Sequence, residues 1–324
     1  MDRRTLLATL ASSAAVAVTP FARAQEYPAQ LIRWVVPYPA GGGTDVIARV
    51  LAESMRQTLG QQIVVDNRPG ASTNIGADIV AKSKPDGYTV LSADNAVLAF
   101  NEHLFSKLPF NPEKDFTYIG AIGKFPLALV VHPDFPAKNF KDFLAYVKAN
   151  PGKVNYASPG NGSPHHLAME MFKVRTGTFI THIPYRGAAP AMADVMGGQV
   201  PCMFLDLASG LSIMQSNKVR VLAIGSGARS KLLPNVPTLA EVGVPNTEGF
   251  AFQGILGPAG LPPAVVSKLN GDLNKAFGTP AVQKRFEDFG MEAMPGTPAQ
   301  FAALSRAESN RWGPIIKQAG IKLD

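Results

Sequence analysis

The chain has 324 residues, 46% of them hydrophobic and 17% charged, with a formal net charge of +7. That length is enough to bury a sizeable core and points to two domains, and the apolar fraction is that of an ordinary soluble protein. Lysines and arginines form no stripe with interleaved aromatics, which excludes nucleic acid as a partner, and the single cysteine, Cys202, excludes an internal disulfide.

In chain order, the first segment, "MDRRTLLATLASSAAVAVTPFARAQ", has a charged start, an apolar middle from Leu6 to Val18 and a small-residue end at Ala22–Ala24. It predicts a cleaved export signal over residues 1–24, with an apolar stretch too short to span a bilayer. The Arg3-Arg4 pair leaves both the Sec and the twin-arginine routes open. Cleavage would remove Arg3, Arg4, Arg23 and Asp2, so the formal charge falls from +7 to 28 minus 23, or +5.

The remaining chain alternates short β-rich runs with amphipathic helical stretches. Strands are predicted at 32–38, 63–67, 88–92, 118–122, 127–132, 154–157, 180–184, 200–205, 219–225 and 251–256. Apolar spacings of three and four predict helices at 45–59, 75–82, 140–150, 165–176, 189–197 and 265–277. Such alternation argues an α/β architecture of mostly parallel sheets flanked by helices. Two extended apolar segments, "IGKFPLALVVHP" and "FAFQGILGPAG", lie far apart in sequence. Paired side by side, they would carry the chain into a second domain (125–249) and back, leaving a discontinuous first domain (25–124 and 250–324) and two hinge strands. The alternative is one continuous doubly wound sheet.

Between the first strand and the first helix lies "PAGGGTD". In open α/β sheets ligands lie beyond the carboxyl ends of strands, where helix N-termini present free amides and partial positive charge. The dinucleotide fingerprint fails because position 46 is Val46, and no lysine and hydroxyl follow the last glycine as a P-loop requires. The amides of Gly42, Gly43 and Thr44 remain suited to a carboxylate, with the Thr44 hydroxyl beside them. Asp45 either caps the helix or bonds a ligand.

A loop of the same character, "SPGNGSPHH", carries Ser158, Gly160, Asn161, Gly162 and Ser163 into a helix that starts at Pro164. One such loop in each domain could hold a small anion across a cleft. His165 and His166 are adjacent and diverge by about a hundred degrees on a helix, so they cannot share a metal as an i, i+4 pair does. No Cys/His/carboxylate spacing completes a metal site, and Ser163 lies outside a Gly-x-Ser-x-Gly elbow. No catalytic residue, metal or cofactor is expected.

Several blocks, "VPYPAGGGTDVIAR", "VVDNRPGASTNIGADIVAKSKPDGYTVL", "LPFNPEKDF", "PGKVNYASPGNGSPHHLAMEMF", "IPYRGAAPAMADVMGGQVPCMF", "LPNVPTLAEVG" and "GPAGLPPAVVSKLN", together resemble the tripartite tricarboxylate transporter receptors, also called Bug receptors. The resemblance runs in order along nearly the whole mature chain. It implies a periplasmic solute receptor of type II-like periplasmic-binding-protein fold, whose two domains close on a small carboxylate like a Venus flytrap. Carried over by position, it places Pro39, Ala40, Gly41, Gly42, Gly43, Thr44 and Asp45 in one clamp loop, and Ser158, Gly160, Asn161, Gly162, Ser163 and His166 in the other. Asp206 resembles an aspartate that follows Met-Phe directly in the family, here displaced by Leu205. Asp94 and Asn95 lie where the family varies with ligand, and Tyr38 and Tyr185 would line the walls. The "RPGASTNIG" block reads as structural.

The partners so implied are a mono- or dicarboxylate, aliphatic, amino-acid or aromatic, and a tripartite tricarboxylate-type permease, with the receptor a monomer. Two other readings remain: a sensory module for a membrane histidine kinase, and an exported α/β hydrolase using Ser163 or Cys202.

Overall fold

The computed structural model describes residues 27–324; the expected export signal lies outside the described residues. The first lobe opens with β1 (Ile32–Val36), α1 (Gly43–Leu59), β2 (Ile63–Asn67), α2 (Asn74–Ala81) and β3 (Thr89–Asp94). A π-helical turn (Ala96–Phe100) and the short α3 (Asn101–Leu104) lead into β4 (Phe116–Val131). The second lobe holds α4 (Phe140–Ala149), β5 (Asn155–Ser158), α5 (Pro164–Thr176), β6 (Thr181–Pro184), α6 (Ala188–Met196), β7 (Cys202–Asp206), α7 (Leu207–Gln215) and β8 (Arg220–Ile224). The chain then returns through β9 (Phe250–Pro258) to α8 (Pro263–Ala276), α9 (Pro280–Asp288), β10 (Glu292–Ala293) and α10 (Pro298–Gln318).

Local sequence explains the main elements. Helix α1 buries Ile47, Ala48, Leu51, Ala52, Met55 and Leu59 on one face, and Gly60 stops it at φ 72°, where its N–H donates to the carbonyl of Arg56. Helix α5 starts with proline in its first turn under a Ser163 cap. Helix α10 begins with a capping box in which Thr297 and Gln300 satisfy each other's backbone amides.

The strands follow the path β2-β1-β3-β9-β4-β7-β5-β6, with β10 and β8 also joining β4. Within the lobes, β1 pairs in parallel with β2 and β3, and β5 with β6 and β7. Every antiparallel ladder among the described residues involves β4 or β9. These are the two crossing strands. Strand β4 pairs with β9 from Phe116 to Pro126 and then with β7 from Leu127 to Val131, so one strand belongs to both sheets.

The sequence predicts a break in the middle of β4, whereas the structure has one strand of 16 residues. The predicted strands 118–122 and 127–132 leave out "GKFP", residues 123–126. Gly123 has a specific use: a Cβ there would lie 2.5 Å from the carbonyl oxygen of Glu292, so only glycine lets β10 pair alongside. Pro126 sits at the last β9 pair, where a lost N–H costs least. One buried cluster runs from Ile32, Trp34 and Leu51 through Ile122, Phe125 and Leu127 on β4 to Tyr156 and Phe204, so the crossing strand is also core.

Candidate functional site

Strand ends and helix starts from both lobes converge where the lobes meet. The first lobe contributes Tyr38, Pro39, Gly42, Gly43 and Thr44 from the β1–α1 loop, and Asp94 from the end of β3. The second contributes Pro159, Pro164, His165, Gly187, Ala188 and Asp206, while the crossing strands supply Phe125, Ala251, Phe252 and Gln253.

Two helices aim uncapped N-termini into this cleft. Neither Gly42, before α1, nor Gly187, before α6, places a side chain on the first-turn amides. Each end therefore carries orphan N–H groups and the positive pole of its helix. They come from opposite lobes, and the lining includes no lysine or arginine.

The acidic groups of the lining are held differently. Asp94 is 4% exposed. It accepts the Tyr38 hydroxyl at 2.8 Å and the Ala96 amide at 3.1 Å. Burial outweighs these bonds and pushes its carboxyl up to about 6. Asp206 caps α7 through the Ser209 amide at 2.7 Å and accepts His165 Nε2 at 3.0 Å. Burial alone would raise its carboxyl, but bonds from His165 and Ser209 prevail and hold it below the usual range.

Other residues named by sequence lie behind the lining. Asp45 accepts the Gly41 amide at 2.9 Å and Asn67 Nδ2 at 2.9 Å, and pairs with Arg49 at 2.9 Å. It therefore orders the first loop rather than facing the cleft, and Ala40 and Gly41 also lie off the lining. Asn95 accepts the Phe252 amide at 2.8 Å and donates to the carbonyl of Phe250 at 3.3 Å, which ties β9 to the first lobe.

The second loop spends its amides on itself. Gly160 N–H donates to Ser158 Oγ at 3.1 Å, Gly162 N–H to His166 Nδ1 at 3.1 Å, and His166 N–H to Ser163 Oγ at 3.3 Å. Ser158 Oγ also lies 2.6 Å from His182 Nε2. Ser158, Gly162 and His166 do not line the cleft. Gly160, Asn161, Ser163 and Tyr185 line an adjoining outer groove, which shares Tyr38, Pro39, Pro159 and Gly187 with the inner cleft. What the second lobe presents inside is the α6 N-terminus together with His165 and Asp206.

Sequence reasoning set His165 aside with its neighbour because the pair cannot share a metal, and it did not reach Gln253 or Gly187–Ala188. The signal for Gln253 was available: it is the one amide in the apolar run "FAFQGILG". A buried polar side chain in a core strand is more informative than an exposed apolar one.

The lobes touch around the cleft. A Cβ on Gly43 would lie 3.1 Å from Asp206 Oδ1, and one on Gly187 would lie 3.2 Å from Pro39 Cγ. The first loop thus approaches the second lobe at two points.

Neither Ser163 nor Cys202 offers a nucleophile at this site. Ser163 donates to the carbonyl of Gly160 at 2.8 Å as it caps α5. Cys202 is fully buried, and burial pushes its thiol well up.

Two α/β lobes joined by crossing strands around a helix-ended cleft define a two-domain periplasmic-binding-protein fold, which solved periplasmic binding proteins share closely. The family model for the "tripartite tricarboxylate transporter family receptor" matches residues 47–321. Protein BugT of Bordetella pertussis is 38% identical over 301 residues, covering 93% of this chain and 92% of BugT. The R. palustris protein Rpa4515, solved with adipate, is 32% identical with a TM-score of 0.88, covering 92% of this chain and 99% of that one. MatC from Rhodopseudomonas palustris, solved with bound malate, is 30% identical with a TM-score of 0.86, covering 90% and 100%. The chain belongs to the tripartite tricarboxylate transporter receptor family.

Proposed function

We propose that this protein is an extracytoplasmic solute receptor that captures a small carboxylate between its lobes and delivers it to a tripartite tricarboxylate-type permease in the membrane. The observation that carries the reading is the meeting of two uncapped helix N-termini, from α1 and α6, at one interlobe cleft. Backbone amides and helix poles together hold an anion without a basic side chain. Relatives solved with adipate and malate support a carboxylate as the ligand.

The lobes divide near residues 124 and 250, so β4 and β9 act as the hinge, and binding works by closure. A ligand that touches both lobes favours the closed form by the contacts it makes only there. Closure then presents a composite surface to the permease. Cleavage of an export signal at residues 1–24 would leave the mature protein in the periplasm. The receptor needs no metal or cofactor, acts as a monomer and turns nothing over.

A thermal-shift screen against mono- and dicarboxylates tests the reading. At one hundred times Kd, a ligand of the native state adds about 2.7 kcal/mol of stability, a clear rise in Tm. Flat traces with every acid, together with hydrolysis of a chromogenic ester, would sink it.

A further inference from the structure

The inner cleft contains buried polar atoms that its own walls do not satisfy. Gln253 is 1% exposed and His165 8%. Both Nε2 and Oε1 of Gln253, and Nδ1 of His165, lack any hydrogen-bond partner. Both residues line the cleft. An unmade bond on a buried polar atom costs about 1–3 kcal/mol, so a cleft of this kind is incomplete without an occupant.

What the atoms lack specifies the occupant. Asp206 accepts from His165 Nε2, which places a ring proton there, and Nδ1 is left without a partner. Oε1 of Gln253 is an acceptor in need of a donor. Nε2 of Gln253 and the uncapped amides at Gly43 and Ala188 are donors in need of an acceptor. The cleft thus asks for a carboxylate and for a group that donates hydrogen bonds, close together.

Charge selects between donors. Asp94 and Asp206 face the cleft, and no lysine or arginine does. A second carboxylate on the ligand would meet like charge in a poorly solvated space, whereas an ammonium would meet opposite charge.

We infer that the ligand is a net-neutral amino acid, its carboxylate on the uncapped ends of α1 and α6 and its ammonium read by Gln253 Oε1 and the two aspartates. This rests on the receptor reading and narrows its substrate class. It sets the protein apart from the relatives solved with adipate and malate, both dicarboxylic acids. Phe125, Phe252 and Ala251 leave an apolar wall for the amino acid's side chain.

The test is calorimetric titration of the full mature chain with matched pairs: alanine and propionate, leucine and 4-methylpentanoate, phenylalanine and 3-phenylpropionate, γ-aminobutyrate and butyrate. Succinate, malate and adipate complete the panel. At least one amino acid should bind ten-fold or more tighter than its desamino partner and than every dicarboxylate. Gln253→Leu should shrink that preference to less than three-fold, and Gln253→Glu, which keeps the acceptor, should retain it. The unliganded Tm of each variant confirms that it folds. Tightest binding by a dicarboxylate, or equal binding within each matched pair, overturns the inference while leaving a carboxylate receptor standing. Heat from none of these acids overturns both.

Discussion

Asp94 shows most directly how one residue serves the site at the expense of the fold. Its folded-state pKa is raised to about 6 from 3.8, chiefly by burial. The unfolded chain therefore releases this proton first, so the contribution of Asp94 to stability is fully present below about pH 4 and is lost as pH rises through about 6. Asp94→Asn removes the penalty. At pH 7.5 the variant should be about 1–3 kcal/mol more stable than wild type by urea unfolding, with the difference vanishing near pH 4. Equal midpoints at both pH values would show that the carboxylate is not under strain. The lining residues also show how far sequence reaches at this scale. Tyr38, Pro39, Gly42, Gly43, Thr44, Asp94 and Asp206 were named from loop position and family resemblance, and all seven line the cleft. His165 and Gln253 come from elements whose facing is set by tertiary packing, and adjacency or composition alone does not say which of two neighbours turns inward.

At the scale of elements, the second loop is held by a stack. The rings of Tyr156, His182 and His166 lie nearly parallel, with His166 and His182 centroids 4.1 Å apart. Burial pushes His166 down to about 4, with Lys173 adding to it, and burial together with His166 pushes His182 down to about 3. For a histidine whose pKa is depressed on folding, the unfolded state binds more protons below 6.5. The stability is thus fully present above pH 6.5 and is lost as pH falls through about 4 and about 3. The free energy of unfolding should drop by on the order of 1–3 kcal/mol per ring between pH 6.5 and 4. A double variant, His166→Gln with His182→Gln, should flatten that limb, and an unchanged slope would assign the acid sensitivity elsewhere. The pairing of rings across β5, β6 and α5 left no trace in the sequence, although the three elements did. Periodicity located the main strands and six helices, because each has an alternating or three-four apolar pattern. Helices α7, α9 and α10 escaped it: α7 runs straight on from β7, and α10 contains Gly313 and Pro314, both unfavourable in a helix interior. Gly313 is there because a Cβ would lie 2.8 Å from the ring of His103, so its presence reports packing and not a helix end.

For the whole molecule, the question is whether the closed arrangement depends on the contact of one lobe with the other, and the glycines of the first loop separate the possibilities. Gly41 has φ 88°, and a Cβ there would meet nothing within 4 Å, so a side chain would strain the loop equally in open and closed forms. Gly43 is different. It is the first residue of α1, where alanine or valine is conformationally acceptable, yet a Cβ would lie 3.1 Å from Asp206 Oδ1 and 3.4 Å from Phe125 Cζ. Asp206 is fixed by Ser209 and His165 and has little room to yield. A side chain at position 43 should therefore cost little in the open form and oppose closure, while its backbone N–H is retained. A ligand that draws its affinity from closure loses whatever the closed form loses. Gly43→Val should keep the unliganded Tm within a few degrees of wild type and weaken binding of the best acid at least ten-fold, about 1.4 kcal/mol. Small-angle scattering should show the wild type contracting on saturation with that acid and the variant retaining its unliganded radius. Wild-type affinity together with wild-type contraction in Gly43→Val would mean that the lobes close without bringing α1 against Asp206, and the two-sided grip on the ligand would have to be abandoned.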